Sequence, residues 1–466
     1  MKEEKRNSLY EQIASIGAMQ GPLEGPQPIA LFGFIKSVRL AGKKKMFIVL
    51  RQGLETIQCV CNTTPEENTK YSQESYVKVE GSLVSTRAPV HSCTVKHIEV
   101  QAERVEVVSE SKELPIQIKD LEWTHAERQE NAQLPIVNQS KRLDVRYIDI
   151  RSCETQSIFR VYSGILSFFR EYLEKSGFIE IKTPKILKGS SEGGAEVFPV
   201  SYFGQTATLA QSPQLYKQMA VIGGLERVFE VGPCFRAENS NTGRHLTEFT
   251  GVDLEMELKG MAYTDLVKLI YQMVRHVANR VQEKHARELG ILKAMSGVDP
   301  ATVIREEPVI LTFREGIDML RAIGREASYT EDIGTEDEKA LGQEVKKKYG
   351  SDLFAMVEYP ESARPFYTSL LPSDRSYTQS FDFILKGEEI SSGAERIHQA
   401  EVLKERVLAK GMALEGVSDY IESFLYGAPR HGGCGIGLER VVKLLTGCTD
   451  IHKCSMFPRD PKRLQP

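Results

Sequence analysis

Between Ile29 and about Val108 the apolar residues come in short runs, "IALFGFI", "MFIVL", "TIQCVC", "YVKVEGSLV" and "VKHIEV", rich in β-branched side chains and separated by turn residues. Runs of that length predict a small all-β barrel or sandwich of about five strands over residues 25–110. The residues before it, 1–24, are polar and then Gly/Pro-rich ("QGPLEGPQP"), which reads as a short tail plus linker. Residues 111–140 lose the rhythm and read as a connector. From Gln156 the period changes: Ile158, Val161, Ile165, Phe168, Phe169 and Tyr172 mark one face of a helix ending near Gly177, ahead of a strand "FIEIKTPKI". A larger α+β domain over 141–466 is expected here. Within it "RVFEVGPCFR" (227–236) and "LTEFTGVDLEMEL" (246–258) predict a strand pair around the polar loop "AENSNTGRH". Along the second strand Thr250, Val252, Leu254 and Met256 share one face and Phe249, Asp253, Glu255 and Glu257 the other, so an aromatic and several carboxylates share a surface. The charged stretch 325–350 reads as solvated helix surface.

A chain of 466 residues, 41% hydrophobic and 27% charged, has material for about two or three cores and is not globally disordered. Its net charge of -4 excludes coating of a polyanion by bulk charge, so nucleic-acid binding would need a local basic patch. The eight cysteines include no C-x-x-C pair and are expected reduced and mostly buried. The start, "MKEEKRNSLY", lacks the apolar core of a secretion signal, and no run approaches the roughly 18 apolar residues of a membrane helix. A cytoplasmic location and no membrane partner are expected.

Four stretches carry candidate chemistry. In "HGGCGIGLERVVKLLTG" (431–447) alternating glycines run into Glu439-Arg440, yet neither the dinucleotide fingerprint nor the P-loop is matched. Close packing of a helix start on a sheet and a nucleotide cradle both remain open from this stretch alone. In "RAENSNTGRHLTEF" Arg236, Arg244, His245 and Phe249 fit either a surface hairpin with ion pairs or a phosphate clamp beside a stacking ring. In "QSFDFILKGEEISSGAERIH" a two-residue turn at Lys386-Gly387 would set Ile384 opposite Glu389 and Asp382 opposite Ser391. Asp382 and Glu389 would then lie within diagonal reach of one cation, which with phosphate oxygens suits magnesium; a plain acidic surface is the alternative. In "QSPQLYKQ" Ser212 and Pro213 sit as N-cap and first helical residue, putting Gln214 and Lys217 on one helix face. Together these residues form an inventory for ATP, with no Ser-His-Asp or Cys-His nucleophile set. The chemistry that fits is attack on phosphorus by the substrate's own oxygen.

The order "FRAENSNTGRHLTEFTGVDLEM", "GEEISSGAERIH", "GGCGIGLERV" resembles motifs 2 and 3 of a class II aminoacyl-tRNA synthetase and the strand between them. "SEGGAEVF", "QSPQLYKQ", "ARPFYT" and "MFPRDPKRLQP" narrow the resemblance to aspartyl-tRNA synthetases of the archaeal and eukaryotic cytosolic type, over about residues 25–466. The resemblance implies an OB-fold anticodon barrel followed by an antiparallel catalytic sheet flanked by helices. It implies ATP, L-aspartate and tRNA(Asp) as partners, Mg²⁺ accompanying ATP, and a homodimer paired through the helix 156–176 and the strand ending at Pro184. By the same carry-over Arg236 would hold the α-phosphate and Arg440 the γ-phosphate. Glu238 and His245 would border the nucleotide, Phe249 would stack on adenine, and Gly435 and Gly437 would let ATP approach the backbone. Asp382 and Glu389 resemble the magnesium ligands. Lys217 and Arg396 would clamp the aspartate side chain, with Gln214, Asp253 and Ser392 supporting that pocket and Glu192 meeting the substrate ammonium. On the barrel Phe47 would stack on an anticodon base, Gln58 would hydrogen-bond it, Glu99 is a further match, and Lys36, Arg39, Lys43, Lys44 and Lys45 would meet phosphates.

This sequence departs from the family at Phe32 and Phe34, where arginines are frequent, and at Arg430 and Cys434, where proline and glycine are common. Three other readings are an asparaginyl-tRNA synthetase, against which "QSPQLYKQ" speaks, a tRNA-binding paralogue without catalysis, and an ammonia-using asparagine synthetase, which would not need the barrel. The paralogue reading would predict loss of a motif arginine or metal carboxylate, and Arg236, Asp382, Glu389 and Arg440 are all present.

Overall fold

The computed structural model describes residues 12–19, 23–42, 44–62, 71–188, 197–240 and 242–466. By contact the chain divides into two compact units, residues 1–122 with 134–156, and residues 123–133 with 157–466. The expected connector 111–140 is therefore shared between the two, and residues 141–156, expected with the larger domain, cluster with the barrel.

The first unit is a closed barrel of β1 (Gln27–Ala41), β2 (Lys45–Gln52), β3 (Glu55–Asn62), β4 (Tyr76–Ser85) and β5 (Ile98–Ser109) in the order β1-β2-β3-β5-β4. Only β3 and β5 pair in parallel. Alternation explains the closure: Met46, Ile48 and Leu50 of β2 and Ile57, Cys59 and Cys61 of β3 point inward and are buried, leaving Phe47 and Gln58 outside. The tail expected over residues 1–24 is partly structural. Its Gln12–Gly17 is helical and places Ile13 and Ile16 in the barrel core, because the two residues lie one helical turn apart on one face.

The second unit is built on an eight-stranded sheet. Its strands are β6 (Ile179–Glu180), β7 (Arg227–Phe235), β8 (Glu248–Glu257), β9 (Ile310–Thr312), β10 (Leu353–Val357), β11 (Ser380–Leu385), β12 (Glu388–Glu395) and β13 (His431–Gly437). They lie in the order β9-β10-β11-β12-β13-β8-β7-β6, and the inner pairs are all antiparallel. Helices α1 (Cys153–Lys175), α2 (Gln214–Ala220), α3 (Tyr263–Lys284), α4 (Thr335–Tyr349) and α5 (Leu438–Thr446) flank it. Ile158, Val161, Ile165, Phe168 and Phe169 of α1 share one core with Val252, Leu254 and Met256 of β8 and Cys434 and Ile436 of β13. The residues between these on β8 and β13 consequently face the opposite side, where the polar residues collect.

Candidate active site

Register decides what meets what on that polar face. Asp253 of β8 lies opposite Gly435 of β13, and Glu255 opposite Gly433. A Cβ on Gly433 would fall 2.3 Å from Glu255 Oε2 and 2.0 Å from the Leu254 carbonyl oxygen, and one on Gly435 would fall 3.0 Å from Asp253 Oδ1. The alternating glycines thus make room for two carboxylates of the neighbouring strand.

Those carboxylates hold two buried cations. Lys217 Nζ, on α2, donates to Asp253 Oδ1 at 3.1 Å and to the Cys434 carbonyl at 3.0 Å, and lies 3.6 Å from Glu255 Oε2. Arg396 donates from Nε to Glu255 Oε1 at 3.0 Å and from Nη2 to Glu255 Oε2, Gln214 Oε1 and the Gly433 carbonyl at 3.3, 3.3 and 2.9 Å. Burial by itself would raise the Glu255 carboxyl, but Arg396 and Lys217 beside it hold it below its ordinary value. Arg396 Nη1 has no acceptor among the described residues, and Arg396 lines a cavity of about 620 Å³ together with Gln214, Asp253 and Ser392. Lys217 is buried and is held by Asp253, Glu255 and the Cys434 carbonyl.

The other end of the same cavity is open and basic. Arg236 follows directly on β7, its guanidinium 5.5 Å from the centre of the Phe249 ring and 3.9 Å from Glu238. Arg440 Nη1 donates to the Glu389 carbonyl at 2.6 Å. His245 Nδ1 lies 2.6 Å from Thr242 Oγ1, and burial, then Arg440, Arg244 and Arg236, outweigh Glu238 to lower its pKa, which leaves the ring neutral at pH 7. Glu238, His245, Phe249, Glu389, Gly435, Gly437 and both arginines line the cavity. Glu439, beside Arg440, is buried and accepts from the Tyr162 hydroxyl of α1 at 3.2 Å and from the Thr250 amide of β8 at 3.0 Å.

With this geometry in place, residues 138–461 match the family described as "tRNA synthetases class II (D, K and N)". The chain belongs to the class II tRNA synthetases. Two similar curated relatives are named aspartate--tRNA ligases. The chain is 41% identical over 478 aligned residues to a probable cytoplasmic aspartate--tRNA ligase of Encephalitozoon cuniculi, covering 100% of both chains. It is 42% identical to the cytoplasmic aspartate--tRNA ligase of Homo sapiens, over 91% of this chain and 85% of that one. Among solved structures, a putative aspartyl-tRNA synthetase from Leishmania major Friedlin superposes with a TM-score of 0.89 at 34% identity, over 97% of this chain and 94% of that chain.

Two expectations read from the turn at Lys386-Gly387 and from the charged stretch 325–350 come out differently in the geometry. Asp382 lies opposite Ser392 rather than Ser391, because a bulge between Phe383 and Ile384 makes Ile390 an extra residue on β12. Both Asp382 oxygens accept from Arg364, at 2.9 and 2.7 Å, and Arg364 Nη1 also donates to Ser392 Oγ at 2.7 Å. Glu389, half-buried, has its carboxyl pushed up to about 7 by burial, Asp382 and Glu338 against the pull of Arg440 and Arg364. Glu338 sits in the stretch expected to be solvated surface; α4 instead turns it inward, 3.0 Å from Arg244. Among the described residues no cluster of three or more His, Cys, Asp and Glu side chains forms a metal cage.

On the barrel, Gln58 Nε2 donates to Glu99 Oε2 at 2.7 Å, and the Arg39 guanidinium lies 4.9 Å from the centre of the Phe47 ring. These side chains share the outer face of β1, β2, β3 and β5. Lys36 of the basic run is already paired with Glu122 at 2.6 Å, and Lys44 and Lys45 are exposed. Glu192 and Lys43 lie outside the described residues.

Sequence reading did not assign Glu255, Arg364, Gln218 or His431. Alternation had put Glu255 on the right face, and the other three lie inside quoted motifs, but no spacing rule says which residues of a motif support the others.

Proposed function

We propose that this chain activates L-aspartate with ATP and transfers it to the terminal adenosine of tRNA(Asp), releasing pyrophosphate and AMP. The observation that carries the reading is a buried arginine, Arg396, that lines the cavity and has no acceptor on Nη1 among the described residues, beside the Lys217–Asp253 pair. Asp253 and Glu255 balance those two cations, and an aspartate side chain entering the pocket would add a carboxylate where a donor is waiting. A neutral asparagine amide would turn its NH₂ or its weaker dipole on the same donor, a mismatch worth orders of magnitude in a desolvated site.

The α-carboxylate that attacks phosphorus already carries its charge, so the first step needs no general base. Arg236 and Arg440 would neutralise charge on the pentavalent phosphorus and the departing pyrophosphate, and Phe249 would stack on the adenine. A 3′-terminal hydroxyl of the tRNA would then attack the aspartyl carbonyl, with AMP leaving. Mg²⁺ supplies further charge neutralisation on the phosphates in such sites, and a hard cation needs only one or two carboxylates when phosphate oxygens complete its shell. Glu389 suits it, since like charges already crowd that carboxyl, while Asp382 would have to share its oxygens with Arg364. The Phe47, Gln58 and Glu99 face would receive splayed anticodon bases. A homodimer through α1 and β6 and a cytoplasmic location complete the reading; relatives named cytoplasmic support the location.

The test is aspartate-dependent exchange of pyrophosphate into ATP by the purified protein, with asparagine as comparison. Exchange driven by asparagine as well as by aspartate would overturn the assignment of the pocket, and a monomer in sedimentation at micromolar concentration would overturn the dimer.

A further inference from the structure

Behind Arg396 runs a line of buried groups that the activation chemistry does not use. Gln214 Oε1 accepts from Arg396 Nη2, Gln214 Nε2 donates to Gln218 Oε1 at 2.9 Å, and the Tyr420 hydroxyl donates to that same oxygen at 3.0 Å. Gln218 Nε2 meets His431 Nε2 at 2.8 Å, and His431 Nδ1 meets the Pro429 carbonyl at 2.8 Å. Gln214, Gln218, Tyr420 and His431 are each 4% exposed or less, so no water competes for these bonds.

Three of the groups in this line are ambiguous by themselves. An amide can present either end, and a neutral imidazole either tautomer. The ends of the line are not ambiguous. The Pro429 carbonyl only accepts, so His431 carries its proton on Nδ1 and bares Nε2. A bare nitrogen needs a donor, so Gln218 turns its NH₂ to His431 and its oxygen to Gln214 and Tyr420. Gln214 must then donate to Gln218 and present its own oxygen to Arg396, which only donates. Reasoning from the guanidinium end gives the same polarity. Turning either amide round would set donor against donor on one side and acceptor against acceptor on the other in a dry site, at the cost of the bonds that amide makes.

We infer that Gln218 and His431 are positioning residues, a hydrogen-bond relay that fixes the Gln214 amide so that Arg396 holds its open Nη1 toward the bound amino acid. The inference rests on the reading of Arg396 as the contact for the aspartate side chain. It assigns these two residues to aspartate affinity, since their side-chain hydrogen bonds run to Gln214, Tyr420, the Pro429 carbonyl and one another and neither is among the residues lining the cavity.

The test is steady-state pyrophosphate exchange with varied aspartate and varied ATP, on the full-length protein, for wild type, Gln218→Met and Gln218→Glu. Gln218→Met keeps the volume and removes the polarity. It should raise KM for aspartate about tenfold, the scale of one misdirected hydrogen bond to a charged group, with kcat and KM for ATP within about twofold of wild type. Gln218→Glu keeps an acceptor toward Gln214 and Tyr420 while His431 takes up a proton at Nε2 to face the new carboxylate, so KM for aspartate should return to within about threefold of wild type. Should Gln218→Met fail to fold, Tyr420→Phe removes a single donor to the Gln218 oxygen and should raise KM for aspartate alone, by about threefold. An unchanged KM for aspartate in the folded variants would overturn the relay while leaving the aspartate reading in place. Parallel losses in kcat and both KM values, with no recovery in Gln218→Glu, would reduce these residues to packing. No aspartate-dependent exchange in wild type would remove the underlying reading itself.

Discussion

The two ends of the cavity handle positive charge in opposite ways. At the amino-acid end Lys217 is 1% exposed and Arg396 3%, and apart from Arg396 Nη1 their donors are engaged by Asp253, Glu255, Gln214 and backbone carbonyls before any ligand arrives. At the nucleotide end the Arg236 side chain is 42% exposed and reaches its carboxylate neighbour Glu238 only at 3.9 Å. A buried, balanced pair cannot be loosened cheaply, so it discriminates; a solvated arginine can adapt to a polyphosphate and follow its charge as it moves. One end is built for choosing, the other for accommodating.

The contrast can be broken most severely at Lys217. Lys217→Met removes the cation that pairs with Asp253 and lies 3.6 Å from Glu255, and loss of one partner of a buried ion pair costs about 3–5 kcal/mol. Aspartate-dependent exchange should fall by about a thousandfold or more on that scale, with ATP binding measured by calorimetry nearly unchanged. Arg440→Ala should act the other way round: kcat for exchange falls by about a hundredfold, the scale of one lost donor to transition-state charge, while the melting temperature moves little. Acid should sharpen the comparison. Because Glu255 is held below its ordinary value of 4.5, it contributes stability that is present above that pH and lost as pH falls through its lower folded value. The melting temperature of wild type should therefore drop more steeply below pH 4.5 than that of Glu255→Gln, as followed by calorimetry. The smallest effect belongs to the barrel: Phe47→Ala should raise KM for tRNA about tenfold through loss of one stacked base, with no change in aspartate-dependent exchange.

The barrel and the strand pair 227–236 and 246–258 were legible because their faces differ so sharply: a period of two with buried Val252, Leu254 and Met256 allows a single register against the core. The site was legible as a set of residues, since Arg236, Phe249, Arg396 and Arg440, far apart in sequence, line one cavity. Depth was not. "QSPQLYKQ" shows that Gln214 and Lys217 share a helix face, but not that Lys217 is buried against Asp253 of β8. The bulge at Ile390 was hidden because it alters register without altering the alternation of side-chain types near the Lys386-Gly387 turn. Glu338 was missed for a related reason: its neighbours on α4 are charged, and what separates it from the solvated face is contact with Arg244, 94 positions away, and with the Glu389 amide.

Glu439 joins three parts of the chain that are remote in sequence, through the hydroxyl of Tyr162, the amide of Thr250 and its own place next to Arg440. The long helix that carries Tyr162 is consequently tied through one buried carboxylate to the residue next to Arg440. A shift of that helix larger than the slack of a hydrogen bond has to break a contact to the buried Glu439 carboxylate or carry that residue with it.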